Sequence, residues 1–222
     1  MNDRIKTIAD AATHLFLQQG YSKTQISHIA KAAGVSVGTI YLDFIGKKEI
    51  MHFILKCALA PDFINRNFER PITDELFAGI EDDIVKLFGS IGNDFTKHLT
   101  GHAEDYSLEL LVSDAFDILS KYEVIFLFIE KNQFDFKFLA EHYKQYRKRF
   151  LETISQYMTA FIERGIVRPL ENVKLTTTLI VETLSWWAMD IHYTSFEIQD
   201  ISPDVAKKLC MDNIISAYRR KN

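Results

Sequence analysis

Ala33-Gly34-Val35-Ser36-Val37-Gly38-Thr39-Ile40-Tyr41 is the stretch whose reading decides the fold. Gly34 permits a sharp turn, Val35 offers an apolar plug, and Ser36 is placed to cap a following helix. In that helix Ile40 and Phe44 stand at i and i+4 and face inward, with Val37 one turn earlier. Thr39, Tyr41 and Leu42 point more to the outside. On the near side of the turn, Ile26, Ile29, Ala30 and Ala33 give a short helix its inner face, with Thr24 as the expected N-cap. Further upstream, Ile5, Ile8, Ala9, Ala12, Leu15 and Phe16 form one apolar stripe of helical period. Gly20 follows as a C-terminal cap, and Tyr21 is expected to fold back onto the stripe. Two short helices joined by a glycine turn, the second opened by small residues, make a helix-turn-helix.

The remainder reads as longer helices, so the expected fold class is all-α. Only four prolines and nine glycines interrupt 222 residues, which favours long helices over a turn-rich β fold. A fourth helix is expected over residues 47–67, bent by Pro61, and a fifth from Thr73 or Asp74 to Gly101. Residues 107–121 form another. Residues 122–132 carry enough β-branched and aromatic side chains to suit a buried strand, but no partner strand is visible, so a short buried helix is expected. Helices over 138–164, 173–192 and 203–220 follow, the last capped by Ser202 with Pro203 at its first position. The expected division is a helix-turn-helix domain over 1–46 and a helical body over 47–222.

Composition narrows the class. Hydrophobic residues make up 47% and charged residues 25% of the chain, the balance of a globular protein. The cysteines, Cys57 and Cys210, lack zinc-type spacing and suit a reducing compartment. The chain opens on Asp3, Arg4, Lys6 and Asp10 rather than a leader pattern, and its longest apolar run, Val124 to Ile129, is short of the ~20 residues that span a bilayer. A cytoplasmic protein without membrane contact is expected. The net charge of −4 is unevenly spread: residues 1–50 hold six bases against four acids, and the rest holds 20 bases against 26 acids. A weakly basic head on an acidic body is compatible with nucleic-acid binding.

Residues 4–56 resemble the DNA-binding domain of the TetR family of transcription regulators. The resemblance rests on Ala11-Ala12, Leu15-Phe16, Gly20-Tyr21, Ile29-Ala30, Ala33 to Ser36, Gly38-Thr39-Ile40-Tyr41, Phe44 and Lys47-Lys48-Glu49-Ile50. Glu163 to Pro169 is similar to a common family helix terminus. The resemblance implies a homodimer on a pseudo-palindromic DNA operator, answering to a small apolar or aromatic effector, with repression as the default outcome. It places Tyr41 and Lys47 at phosphates and Val37, Gly38, Thr39 and Leu42 at the major groove. The physical reading adds Thr24 and Gln25 at the positive N-terminus of the second helix, an anchor for phosphate. Gly38 has two explanations that stay open: close approach to a groove wall, or close packing on the second helix.

Two features depart from this pattern. Asp43 stands where a carboxylate is expected to repel phosphate. The stretch 36–43 contains no Arg, Asn or Gln for bidentate base readout, which leaves Thr39, apolar contacts and DNA shape, with Gln25 and a minor-groove Arg4 as added readers.

In the body, Phe88, Phe95, Phe116, Phe126, Trp186 and Trp187 are the candidate lining of an effector pocket. Leu179, Val181, Leu184, Ile214, Ile215 and Tyr218 are expected at a helical dimer interface, as the resemblance implies. No HExxH, P-loop or GxSxG motif is present, and no cofactor or metal is expected. His98 and His102, near Glu104 and Asp105, have the spacing of a metal pair, but Gly101 breaks the helix between them. The rival readings are a helical protein-interaction module that has lost DNA binding and, further off, an enzyme.

Overall fold

A computed structural model describes residues 3–100, 106–197 and 200–221. Its helices are α1 (Asp3–Gln18), α2 (Ile26–Ala32), α3 (Val37–Asp43), α4 (Lys47–Leu59), α5 (Ile80–Thr100), α6 (Leu108–Lys121), α7 (Glu123–Lys131), α8 (Lys137–Glu163), α9 (Val173–Ser185), α10 (Ile191–Tyr193) and α11 (Pro203–Tyr218). Among the described residues the only β contacts are two isolated bridges, Phe44 with Ile72 and Val167 with Arg219. The all-α reading holds, and residues 123–131 are helical with five consecutive buried side chains, Ile125 to Ile129. The chain forms two compact units, Met1–Val85 with Val124–Ala140, and Lys86–Glu123 with Glu141–Asn222. The first unit thus runs past residue 46 and takes in a later helix.

In the first unit, Ile5, Ile8, Ala12 and Phe16 of α1 are buried with Ile29 of α2, Ile40 of α3 and Ile50 and Phe53 of α4. Tyr21 does return onto α1, its ring 5.3 Å from that of Phe16. The fourth helix is shorter than expected. It ends at Leu59, and Pro61 opens a separate 3-10 turn, Pro61–Asn65, rather than bending a continuous helix. A second 3-10 turn, Asp74–Phe77, precedes α5. Proline at a first helical position loses no hydrogen bond, so starting a new turn is the lower-cost solution. The aromatic rings of Phe53, Phe63, Phe68 and Phe77 close over this connection, Phe53 lying 5.3 Å from Phe68 and 5.7 Å from Phe63.

Helix α7 joins this unit through Asn132. Its Oδ1 accepts the Tyr21 N–H at 2.6 Å, and its Nδ2 donates to the Phe128 carbonyl at 2.8 Å and to the Phe16 carbonyl at 3.4 Å. One buried amide therefore ties the end of α7 to the turn after α1.

In the second unit α6, α9 and α11 pack together, and α9 runs through a π turn, Trp186–Asp190, into α10. Ser202 accepts the Val205 N–H, the expected cap of α11. Phe88 and Phe95 of α5 stack on Tyr146 and Phe150 of α8 at 5.1 and 5.0 Å.

Replacing Asn132 with alanine leaves the Tyr21 N–H without its acceptor, a loss of about 1–3 kcal/mol for a buried group. Asn132→Ala is expected to lower the thermal midpoint by on the order of 5 °C in a chain this size. Calorimetry that finds no shift would show that the α7 joint carries no load.

Candidate DNA-binding surface

The turn between α2 and α3 is built from local hydrogen bonds. Gly34 adopts φ +67°, a left-handed conformation that a side chain strains. The Val35 N–H reaches back to the Ala30 carbonyl at 3.0 Å. Ser36 caps α3, its Oγ accepting the Thr39 N–H at 3.0 Å and lying 2.8 Å from the Thr39 hydroxyl. Inside, Ile40 and Phe44 are fully buried. On the outside the same helix presents Val37 (40% exposed), Tyr41 (50%) and Leu42 (64%), and Ile45 (51%) just beyond it. Large apolar groups left in water on a seven-residue helix make a patch that a partner surface would cover.

The sequence-derived residues divide into three groups. Val37, Gly38, Tyr41 and Leu42 lie on this exposed face, with Thr39 half-buried against Ser36. A Cβ on Gly38 would meet only the Ser36 Oγ, at 3.7 Å, an ordinary contact. Close packing on α2 therefore does not explain the glycine. Gln25, not Thr24, is the N-cap residue of α2: it is exposed, and its N–H donates to Nδ1 of His28 at 3.3 Å.

Thr24 turns inward. It is buried, and its hydroxyl donates to the Gly20 carbonyl at 2.8 Å and accepts from Gln19 Nε2 at 3.1 Å. Its side chain braces the α1–α2 turn and does not face outward. Lys47 serves the same turn. Its Nζ donates to the carbonyls of Tyr21 and Thr24 at 2.8 and 2.9 Å and sits 4.1 Å from the centre of the Tyr21 ring. Burial draws its pKa below the ordinary lysine value. Two of its three N–H bonds are engaged inside the protein, leaving one for any phosphate.

Asp43 and Arg4 are not where their sequence positions suggested. Asp43 is fully buried, and its carboxylate is gripped by Arg4 (Nε 2.6 Å, Nη2 2.8 Å) and by Arg70 (Nη1 2.9 Å). It offers no repulsive charge to the outer face, and Arg4 is committed to it rather than reaching for a groove. Arg70 and the exposed Ile45 escaped the sequence reading. Neither lies on a periodic stripe, and nothing local ties Arg70 to an acid 27 residues earlier.

The candidate effector lining is not assembled as a set. Phe88 and Phe95 line a cavity of ≈ 290 Å³ with Gly89, Gly92, Arg149 and Phe150 in the second unit. Phe116 is buried in that unit away from the cavity lining, and Phe126 belongs to the first unit. Trp186 is 45% exposed and Trp187 half-buried, both in the π turn. The two are consecutive and stand about 100° apart around a helix, so they do not share one buried face. Among the described residues no three His, Cys, Asp or Glu side chains cluster as for a metal. His98 stacks on Tyr106 at 4.3 Å, while Gly101, His102, Glu104 and Asp105 lie outside the described residues. No helix among the described residues is long and apolar enough to cross a membrane.

Residues 8–53 match the model of bacterial regulatory proteins of the tetR family. A fatty acid metabolism regulator protein of Bacillus subtilis is 27% identical over 187 residues, 82% of this chain and 82% of that protein. The regulator AcrR of Shigella flexneri is 51% identical over 43 residues, 19% of this chain and 20% of AcrR. Among solved structures, the ketosteroid transcriptional regulator KstR2 of Mycobacterium tuberculosis has the same fold, with a TM-score of 0.53 at 14% identity, over 100% of this chain and 97% of that one. The N-terminal helix-turn-helix of this chain is that of the tetR family of bacterial regulatory proteins, and the relatives that the chain resembles are transcription regulators.

Proposed function

We propose that the chain works in the cytoplasm as a homodimeric repressor, released from a pseudo-palindromic operator by an effector bearing an acyl chain. The observation that carries the DNA-binding part is the exposed face of α3, where Val37, Gly38, Tyr41 and Leu42 stand out on a helix anchored from behind by Ile40 and Phe44. Inserted in a major groove, this face offers methyl groups to thymine and a tyrosine hydroxyl to phosphate, and Gly38 lets the backbone come close. Gln25, at the exposed start of α2, is the phosphate anchor on the second helix. Lys47 adds its one remaining N–H.

Dimerisation is supported by Leu175 and Leu179 exposed at i and i+4 on α9, by the exposed Trp186 at the start of the π turn, and by Val205 and Leu209 on α11. Of the residues expected at that interface, Val181, Leu184 and Ile214 are buried within the protomer and Leu179 is exposed. A pseudo-palindromic operator asks for two α3 helices about one DNA turn, ~34 Å, apart, and a dimer supplies two.

The acyl effector is supported by the name of the Bacillus subtilis relative, which aligns over most of both chains, and by the cavity at Phe88, Phe95 and Phe150. Added Cβ atoms on Gly89 and Gly92 would meet nothing within 4 Å, so both glycines border open space beside these rings. Exposed Arg149 borders the same space and offers a cation to a carboxylate or phosphate head. An effector that prefers the DNA-free state must be weakened by DNA to the same degree that it weakens DNA.

Four outcomes are expected. In titrations against DNA selected from a random pool by the wild type, Tyr41→Ala lowers affinity without moving the thermal midpoint. Lys47→Ala lowers both, because two carbonyls lose their donor; equal midpoints would deny Lys47 its structural role. Leu179→Glu combined with Leu209→Glu gives monomers in sedimentation and loses tight DNA binding; a persistent dimer would place the interface elsewhere. Gly92→Leu fills the cavity and raises the concentration of fatty acid or acyl thioester needed for release at least ten-fold, with effector-free DNA binding kept; unchanged release would rule this cavity out.

A further inference from the structure

The connection between α4 and α5 does not simply cross to the next helix. At residues 70–77 it lies against the end of α3 and the flank of α4 and is fastened at almost every second residue. Arg70 donates to the Asp43 carboxylate at 2.9 Å. The Ile72 N–H donates to the Asp43 carbonyl at 2.8 Å, and the Ile72 carbonyl accepts the Ile45 N–H at 3.2 Å, a parallel bridge at the last turn of the recognition helix. The Ile72 side chain is buried. Asp74 accepts from Lys48 at 2.6 Å and pairs with Nδ1 of His52 at 2.5 Å, both on α4. The hydrogen bond from Lys48 holds the Asp74 carboxyl below its ordinary value. Phe77 is buried, edge-on to His52 at 5.9 Å and Phe53 at 6.4 Å.

We propose that this strap, through Arg70 and Asp43, is a positioning device that sets the orientation of α3 on DNA. The proposal rests on the DNA-binding reading above and adds a determinant from outside the helix-turn-helix. Helix α3 has only seven residues, too few to hold its own axis, since isolated helices shorter than ~12 residues are marginal in water. Its N-terminus is fixed by Ser36 and the α2 turn. Its C-terminus carries a buried carboxylate that needs cationic partners, and the strap supplies one of the two guanidiniums as well as the backbone bridge. Loosening the strap therefore frees the end of α3 that bears Tyr41 and Leu42. The strap runs on through Gly79 into α5, the helix that carries Phe88 and Phe95.

Asp43→Asn separates this from simple electrostatics. Removing a negative charge near DNA strengthens binding if only charge matters, whereas a positioning role weakens it. The test compares wild type, Asp43→Asn, Arg70→Ala and Arg70→Lys for binding to wild-type-selected DNA at several salt concentrations. Amide hydrogen exchange of the DNA-free proteins accompanies it. The expected result is binding about ten-fold weaker for Asp43→Asn and Arg70→Ala, with the dependence of log affinity on log salt unchanged. Exchange at Phe44, Ile45 and Ile72 is faster, and Arg70→Lys recovers most of both effects. Tighter binding by Asp43→Asn overturns the proposal. So does a salt slope reduced by about one in Arg70→Ala, which marks a direct phosphate contact. Unchanged exchange at those amides overturns it as well. If the wild type selects no DNA, the DNA-binding reading fails on its own, and exchange still decides whether the strap holds α3.

Discussion

A carboxylate withdrawn from water costs several kcal/mol unless cations and donors replace its hydration, and Asp43 has been withdrawn completely. Its partners come from far apart in the chain: Arg4 from the first turn of α1 and Arg70 from beyond α4. Arg4 takes both carboxylate oxygens, and Arg70 shares one of them. Both guanidiniums keep part of their surface in solvent, so the cations stay partly hydrated while the anion gives up water. That asymmetry makes the site affordable in a small head and makes the acid the component that cannot be left alone. The first helix and the strap are thereby registered on the end of the recognition helix.

The rest of the first unit is joined in the same manner, by single polar side chains closing on backbone. Lys47 gathers the carbonyls of Tyr21 and Thr24, and Asn132 takes the Tyr21 N–H while donating to two carbonyls. The turn after α1 is thus held from α4 on one side and from the end of α7 on the other. Turns carry unpaired backbone groups that must be satisfied when buried, so a long-range side chain at such a turn fixes geometry that packing alone would leave loose. The apolar stripe of α1 decides that the helices pack; these polar joints decide the angles.

This division explains what was legible in the sequence. Gly34, Ser36, Gly20 and the stripe from Ile5 to Phe16 act within a few residues, so their consequences follow from local chemistry, and each behaves as its position implies. The single helix over 123–131 was legible from the missing partner strand. Asp43 and Arg4 are not legible locally because their partners are distant: a carboxylate at the end of an exposed helix reads as a surface charge until Arg70 is seen to return 27 residues later. Pro61 was taken as a bend because proline tells that a helix is disturbed, not whether the chain resumes it. Trp186 and Trp187 do not both face an interior, because consecutive residues stand about 100° apart around a helix. Phe126 and Phe88 both fall on expected buried helix faces, but a buried face does not say which core it joins, and folding sends them to different units.

The sequestering of Asp43 also changes what the outer face of α3 can do. With that acid inside and answered by two arginines, the exposed surface from Val37 to Ile45 is apolar apart from the Thr39 and Tyr41 hydroxyls and the backbone at Gly38. Such a face makes few directional hydrogen bonds to base edges, and bidentate pairs are what give discrimination of ~1–3 kcal/mol per base. On the DNA-binding reading proposed above, selectivity from this surface would come from fit: methyl groups against thymine, a backbone close to the groove wall, and a groove whose width suits both. Fit is more sensitive to the tilt of a helix than a flexible arginine contact is, because a long side chain can follow a small rotation and a methyl group cannot. A recognition helix of this composition therefore needs its axis held firmly, and the buried carboxylate at its end, shared between the first helix and the strap, is the part of the structure that holds it.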